Sequence, residues 1–427
     1  MKSMKTLVAM VVVAALVGTA ADAATYVFDN DSGDYSWHTL SNWDVGGSDP
    51  LVLPGVADIV DMRNFTNDSA HPVTITSAVS VDSIDRLADP DPTYLEINAD
   101  LTITNDFNLN RDDKADVGYV IHKSGTVSIG GNLMFSADRD GSSTYKIEGG
   151  TLSVTQINLG RGYDDGGVDQ FIQDGGTVTA TNIGGFGGNS HSVLQEYQLN
   201  DGSATFSGDV RFGWKTRDVK YTQTGGTAVF QGTLEFATDS TSAPGNGIGT
   251  FSAAADTTIQ GQFLVGSTSL ANGEGTLILD GSVTGAGTDV QAQGGADFAE
   301  YSHFEAIIDS DAITTPSGMR KVAVTGTAVF MYDAVQGGGA LLKPSFDGAA
   351  TPTPGTWTIL TADTLTDEGL AFDPAVDQYT GPGDTGWTFN ADTTNGVLTV
   401  TYVPEPASLA VLGLGAVGLL IRRRRRS

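Results

Sequence analysis

The chain has 427 residues, with 55 glycines, no cysteine and a formal net charge of −29. Abundant Gly, Thr, Ser and Val favour strands and tight turns, while the absence of cysteine excludes disulfides, thiolate metal sites and cysteine nucleophiles. Between Ala24 and Val403 there are 15 basic and 49 acidic residues, a charge of about −34. A body this acidic excludes nucleic acid as a partner and favours divalent cations.

Residues 1–23 have the three parts of a secretion signal. Two lysines precede an apolar run from Leu7 to Val17, and the small residues Ala21 and Ala23 follow. This order predicts a signal peptide with its signal-peptidase site at Ala21 and Ala23. An uncleaved N-terminal anchor is the alternative, but the run is shorter than the roughly 20 residues that span a bilayer.

Residues 24–94 are predicted to form an N-terminal cap. They contain Trp37, Asn42-Trp43, Pro54-Gly55 and Asp58 in that order. One interpretation is that the two tryptophans cover the first coil of the body; the other is an aromatic surface for sugars. Over roughly Tyr26 to Asn64 the arrangement resembles the opening module of autotransporter-like β-solenoid proteins.

Residues 95–345 contain a repeat of about 25 residues. Each unit has a glycine turn followed by short alternating strands, and five successive turns align, with fourth residues 25, 26, 27 and 23 positions apart. The turns are Lys123–Val127, Glu148–Leu152, Asp174–Val178, Asp201–Thr205 and Thr224–Ala228. One such unit cannot bury its apolar side alone, so the repeat predicts the stacked parallel coils of a β-solenoid, also called a parallel β-helix.

The stack is expected to continue beyond these turns with looser spacing, through Gly261–Val265, Gly275–Leu279 and Val322–Phe330. Glycines supply the positive φ angles that the corners need. A β-sandwich is the alternative fold, although its hairpins predict shorter and less even spacing. The overall fold class is therefore all-β, a solenoid with β-rich caps at both ends.

Residues 355–402 differ from the repeat and are predicted to form a C-terminal β cap. They contain Thr356–Leu360, Gly386–Phe389 and Val397–Tyr402, which we interpret as three antiparallel strands. Such a cap closes the last coil, which would otherwise be an open edge for aggregation.

Residues 403–427 form a separate tail. Pro404, Glu405 and Pro406 precede an apolar stretch over 407–421, predicted to be a short transmembrane helix, and then Arg422, Arg423, Arg424, Arg425 and Arg426. Fifteen helical residues reach only about 22 Å across a core of roughly 30 Å, so the anchor is marginal. The arginines predict a cytoplasmic stop, with the body on the exported side.

This tail resembles the PEP-CTERM sorting signal. The resemblance implies that Pro404, Glu405 and Pro406 are read by exosortase, a membrane enzyme, and that cleavage nearby releases the body. It also implies a place on the surface or in the exopolysaccharide matrix of a Gram-negative-type bacterium. The prolines lack N–H groups and keep the motif extended, which suits recognition by an enzyme. An ordinary tail anchor is the alternative.

No catalytic or zinc motif is present, because the five histidines are scattered and show no two-histidine metal spacing. One charged constellation recurs between coils and would align along one edge of the stack. Its members are Asp138, Asp140, Arg161, Asp164, Asp165, Arg217 and Asp218. We interpret them as solvated charge pairs; the alternative is a ligand edge, where carboxylates would hold Ca²⁺ and an arginine such as Arg161 or Arg211 would face an acidic sugar.

These observations predict a non-catalytic structural protein of the cell surface or extracellular matrix, such as a biofilm, with no cofactor. The alternatives are a polysaccharide-binding module and a polysaccharide lyase or glycoside hydrolase of the β-helix type. Expected partners are an exosortase-type enzyme, exopolysaccharide, and the membrane through the C-terminal helix.

Overall fold

The computed structural model describes residues 23–62, 65, 67–87, 92–110, 117–136, 142–159, 168–184, 194–212, 218–236, 247–253, 255–266, 273–280, 290–299, 302–308, 321–333, 338–346, 354–372 and 386–403. These residues form strands and one short 3₁₀ turn, Leu40–Asn42. The all-β prediction is confirmed.

The first part of the chain contributes short strands, most of them three to six residues long. They alternate buried and exposed residues, as strands with one face in a core do. They are β1 (Thr25–Phe28), β2 (Trp43–Asp44), β3 (Ile59–Asp61), β4 (Val73–Ile75), β5 (Val79–Val81), β6 (Ser83–Arg86), β7 (Thr93–Ile97), β8 (Leu101–Ile103), β9 (Phe107–Asn110), β10 (Val117–His122) and β11 (Thr126–Ser136).

The middle part contains the longest strands, because some run through two or three sides of a coil without a break. They are β12 (Ser142–Ile147), β13 (Thr151–Asn158), β14 (Val168–Gly184), β15 (Leu194–Phe206), β16 (Val210–Phe212), β17 (Asp218–Gln223), β18 (Thr227–Phe230), β19 (Leu234–Phe236), β20 (Gly247–Ala253), β21 (Asp256–Ile259), β22 (Phe263–Val265) and β23 (Gly273–Asp280).

The last part continues the stack and ends in antiparallel strands. They are β24 (Val290–Ala292), β25 (Ala296–Phe298), β26 (Ser302–Ile308), β27 (Val322–Phe330), β28 (Tyr332–Asp333), β29 (Gly338–Gly339), β30 (Leu341–Phe346), β31 (Gly355–Asp367), β32 (Ala371–Phe372), β33 (Trp387–Asp392) and β34 (Val397–Tyr402).

Parallel pairing arranges the strands into three faces of one solenoid. The first face runs through β4, β7, β10, β12 and β14, and continues through β15, β17, β20, β23, β26 and β30. The second runs from β5 and β8 through β11, β13, β14, β15, β18, β21, β24 and β27 to β31. The third begins at β1 and β3. The predicted solenoid is therefore confirmed, and the β-sandwich alternative is wrong.

The register of the first face shows how regular the coils are. Leu95, Val120, Tyr145, Phe171, Tyr197 and Tyr221 are successive partners, which gives steps of 25, 25, 26, 26 and 24 residues. The next steps are longer or less even, because Tyr221 pairs with Phe251 and Phe304 pairs with Leu342. The looser continuation expected from the sequence is confirmed.

Stacked aromatic rings fill the core behind the first face. Tyr145, Phe171, Tyr197, Tyr221 and Phe251 are buried, and their ring centroids follow one another at 5.4, 4.8, 5.6 and 5.1 Å. Each aromatic contact adds about 0.5–1.5 kcal/mol to the burial of its ring. The same inward position in consecutive coils thus becomes a continuous hydrophobic column.

Glycines with positive φ form the corner between the first and second faces. Gly125, Gly150, Gly176, Gly202 and Gly226 have φ angles from +66° to +89°. From Gly150 onward, each packs on the corner glycine of the preceding coil: a Cβ atom on Gly176 would lie 2.7 Å from the Gly150 carbonyl oxygen. Only glycine satisfies both the backbone conformation and the approach of the adjacent coil.

Both ends of the stack differ from its middle. At the start, β1 pairs antiparallel with β2 and parallel with β3. At the end, β34 pairs antiparallel with both β31 and β33, as the cap prediction expects, and β31 also continues the parallel stack on β27. The predicted transmembrane helix 407–421 and most of the signal peptide 1–23 lie outside the described residues. Up to Val403, the described residues contain no helix long and apolar enough to cross a membrane.

Candidate functional site

Most of the predicted site residues lie outside the described part of the chain. This holds for Ala21, Asp138, Asp140, Arg161, Asp164, Asp165, Arg217, the Pro404–Pro406 motif and Arg422 to Arg426. Ala23 is described and is exposed just before β1, and Asp218 is the first residue of β17. The interpretation of the ligand edge therefore stays a prediction.

Arg211 is engaged by its own protein on the third face. Its guanidinium contacts the carboxylate of Glu235 in the next coil, with Nε to Oε2 at 3.0 Å and Nη2 to Oε1 at 3.3 Å. The two residues are direct register partners of β16 and β19. This two-point contact makes Arg211 part of an inter-coil pair in the described structure. A role for Arg211 towards an acidic sugar stays a prediction.

Paired charges follow the corner after the first face. Lys123 bonds Glu96 of the preceding coil at 2.7 Å. Lys146 lies between Glu148 at 2.8 Å and Asp174 of the next coil at 2.9 Å. These contacts raise the pKa of Lys146, with the Glu148 hydrogen bond as the largest cause. The described corner is thus a ladder of compensated charges, each exposed pair contributing under about 1 kcal/mol.

Uncharged groups extend this ladder along the corner. Asn200 donates to Asp174 at 2.8 Å, and Thr224 of the following coil donates to Asn200 at 2.8 Å. The Asn200 hydrogen bond is the largest cause of the lowered pKa of Asp174, followed by that of Lys146. These contacts tie each coil to the next on the surface.

A second polar ladder lies inside the same corner. His122, Gln173 and Gln223 occupy one inward position in alternate coils, with Ile147 and Leu199 between them. Each polar side chain contacts the carbonyl oxygen of the corner glycine three residues later, at 3.2, 3.3 and 3.4 Å. Buried polar groups need such partners because an unmade hydrogen bond in a core is costly.

Buried tyrosines complete the inner ladder. Tyr197 donates its hydroxyl to Gln173 at 2.7 Å, and the Tyr145 hydroxyl lies 3.2 Å from Nδ1 of His122. Burial lowers the pKa of His122 and raises that of Tyr197. The imidazole and phenol are therefore held neutral and hydrogen-bonded within the core, where they join coils together.

The two N-terminal tryptophans are core residues. Trp37 and Trp43 are 1% and 0% exposed, their rings lie 4.8 Å apart at 72°, and Trp43 Nε1 donates to the Trp37 carbonyl oxygen at 2.8 Å. The aromatic sugar surface considered for these residues is wrong, because neither ring is open to solvent. They cover the first part of the core, as the cap interpretation states.

Asp34 holds the loop that carries these tryptophans. Its carboxylate accepts hydrogen bonds from the Thr39 hydroxyl at 2.6 Å, the Asn42 amide at 2.6 Å and the Ser36 backbone at 2.9 Å. These bonds hold its pKa well below the ordinary value, with Thr39 as the largest cause. Within the described residues, no group of three or more His, Cys, Asp or Glu has a metal-binding arrangement.

A groove runs along the outside of the second face. Its cavity volume is about 400 Å³, and it crosses four consecutive coils. It is lined by Ser128, Ile129, Gly130, Ser153, Val154, Thr155, Thr179, Ala180, Thr181 and Ser207. The site is not among those predicted from the sequence, although alternating hydroxyl residues follow the glycine corners of the coils that line it.

The comparisons with known proteins concern the tail. A family described as the PEP-CTERM protein-sorting motif matches residues 403–426. No curated protein and no solved structure matches the chain. The protein is thus a β-solenoid that carries an exosortase sorting signal, and this signal indicates export and membrane-associated sorting of an extracellular protein.

Proposed function

We propose that the protein is a non-catalytic structural component of the cell surface or extracellular matrix of a Gram-negative-type bacterium. The signal peptide directs export, the C-terminal helix holds the chain in the membrane, and exosortase processing at Pro404–Pro406 delivers the body. The matched sorting motif supports this route. The observation that carries the structural role is the continuous parallel pairing of the three faces from β3 to β31.

This pairing makes the body suited to bearing load. Each coil is joined to the next by backbone ladders on three sides, by the aromatic column and by the two polar ladders. Deforming the stack breaks several of these contacts together, so we expect a stiff body. We propose that it works without a cofactor. Ca²⁺ is the cation whose binding should be tested, with carboxylates of the connecting segments as its proposed ligands.

The experiment uses a host strain lacking the gene, complemented by the wild-type chain or by a Glu405→Ala chain. Glu368→Ala serves as the control, because it removes one acidic side chain outside the sorting motif. We expect wild type and control to reach the surface or matrix and restore its stiffness, measured by immunogold labelling and rheology. The Glu405→Ala chain is expected to stay in the membrane fraction.

Two results contradict the proposal. One is normal matrix stiffness in the strain without the protein, which removes the structural role. The other is release of reducing or unsaturated sugar ends when the purified protein is incubated with polysaccharide from its host. That release would favour the alternative, a β-helix lyase or hydrolase.

A further inference from the structure

The groove on the second face differs from the rest of the surface in charge. None of the ten described residues that line it is ionisable, whereas the body as a whole carries about −34 between Ala24 and Val403. The row of groove hydroxyls stays uncharged in the adjoining coils, where Thr102 is the register partner before it and Thr205 the partner after it. A neutral groove on an acidic body can bind an uncharged polymer, because the surrounding carboxylates do not repel such a polymer.

Hydroxyl groups provide the binding chemistry of the groove. Thr155 bonds the Gly130 carbonyl oxygen at 2.7 Å. The side-chain hydroxyls of Ser128, Ser153 and Thr179 have no hydrogen-bond partner among the described residues. A hydroxyl both donates and accepts, so the open groups match a ligand that presents hydroxyls of its own.

The direction of the groove defines the shape of the ligand. Ser128, Ser153 and Thr179 are register partners in consecutive coils, so they form a row along the solenoid axis. Coils in a parallel stack are about 4.8 Å apart, and four coils span about 14 Å. A row of evenly spaced hydroxyls over this length fits an extended polymer with a short repeat.

A peptide fits the groove less well than a polyol. Strand addition needs an edge with free backbone groups, but the second face is hydrogen-bonded to neighbouring coils on both sides at this point. The groove therefore offers side-chain hydroxyls and not an open strand. A polyanion is opposed by the charge of the body.

We propose that this groove binds a neutral polysaccharide, with the chain lying along the solenoid axis over the row from Ser128 to Thr179. The inference rests on the proposed extracellular function, since the polymer is met outside the cell. It adds to the structural role a specific means by which the stiff body is attached to matrix sugars.

The test is affinity electrophoresis of the full chain in detergent, in gels containing a soluble neutral β-glucan or, separately, alginate. A Ser153→Asp/Thr179→Asp chain places two carboxylates in the groove, and a Ser153→Ala/Thr179→Val chain removes the hydroxyls without adding charge. Ser80→Asp is the matched control, because Ser80 is exposed in the same row two coils before Ser128.

We expect the glucan to retard the wild-type chain and the Ser80→Asp chain equally. Losing two hydroxyl contacts is expected to weaken retardation about tenfold or more in both groove variants. Circular dichroism of each variant confirms that the solenoid is intact, and the uncharged variant decides the result if the aspartate variant unfolds.

Three outcomes overturn the proposal: no retardation of wild type by the glucan, equal loss in the Ser80→Asp control, or retention by alginate alone. Reshaping of ice crystals without glucan retention would assign the hydroxyl row to ordered water instead. Failure of the proposed extracellular function can be told apart from failure of the groove proposal, because a protein absent from the cell surface could still bind glucan in the gel.

Discussion

The corner glycines allow a direct test of how tightly the coils stack. Gly176→Ala forces an alanine into φ of +69°, which costs about 1–2 kcal/mol for a residue with a side chain. The new Cβ would also lie 2.7 Å from the Gly150 carbonyl oxygen and 3.2 Å from Cδ1 of Ile147. Overpacking of this kind adds about 1–3 kcal/mol. The total expected loss of unfolding free energy is about 2–5 kcal/mol.

Gly46→Ala is the matched control for this substitution. Gly46 also has a positive φ, +62°, but an added Cβ would meet no atom within 4 Å. Only the backbone cost of about 1–2 kcal/mol is then expected. The assay is urea unfolding of both variants, followed by far-ultraviolet circular dichroism. Equal destabilisation of the two variants would refute the reasoning, because the close approach between coils would then contribute nothing.

Three further predictions concern the polar ladders. Tyr197→Phe keeps the stacked ring but removes the hydroxyl that donates to the buried side-chain oxygen Oε1 of Gln173 at 2.7 Å. Urea unfolding should therefore show a loss of about 1–3 kcal/mol of unfolding free energy, and an unchanged midpoint would contradict this. Burial lowers the pKa of His122 below 6.5, so the native state favours the neutral ring, and its contribution to stability is lost as pH falls below 6.5. His122→Gln should therefore flatten the dependence of the melting temperature on pH in this range, whereas an unaltered slope would exclude His122 as its source. Lys146→Ala breaks two ion pairs between partly exposed side chains, each worth under about 1 kcal/mol, so it should cost under about 2 kcal/mol in total and less at high salt; a larger, salt-independent loss would show that the charged ladder is a main support.

The sequence was informative where one coil repeats the next. The glycine of each turn predicted a corner, and Gly150, Gly176 and Gly202 have the positive φ that this requires. The spacing of the turns predicted parallel stacking, because a single coil of this size cannot bury its apolar side. Regular spacing was therefore enough to predict the solenoid without any knowledge of individual contacts.

Contacts between coils were harder to predict, because they depend on register at the level of single residues. Gln173 and Gln223 look like ordinary polar residues in the sequence, yet both are buried and hydrogen-bonded to corner glycines. Trp37 and Trp43 allowed two interpretations until their burial was known. A pattern of period two shows which residues point inward but not which partner each one meets.

The groove shows the same limit for function. The alternation of Ser153 and Thr155 around Val154 predicts two outward hydroxyls in one strand. Only the register places them beside Ser128 and Thr179, where they become a neutral row on an acidic body. The chemistry of this surface is a property of the stack and not of any one repeat.

Mass spectrometry of the protein recovered from its native host tests the central claim most directly. Export and exosortase sorting predict a product that starts near Ala24 and ends near Pro404–Pro406. A recovered chain that still carries Arg422 to Arg426 would contradict sorting by cleavage, and a chain that still begins at Met1 would contradict export through a cleaved signal peptide.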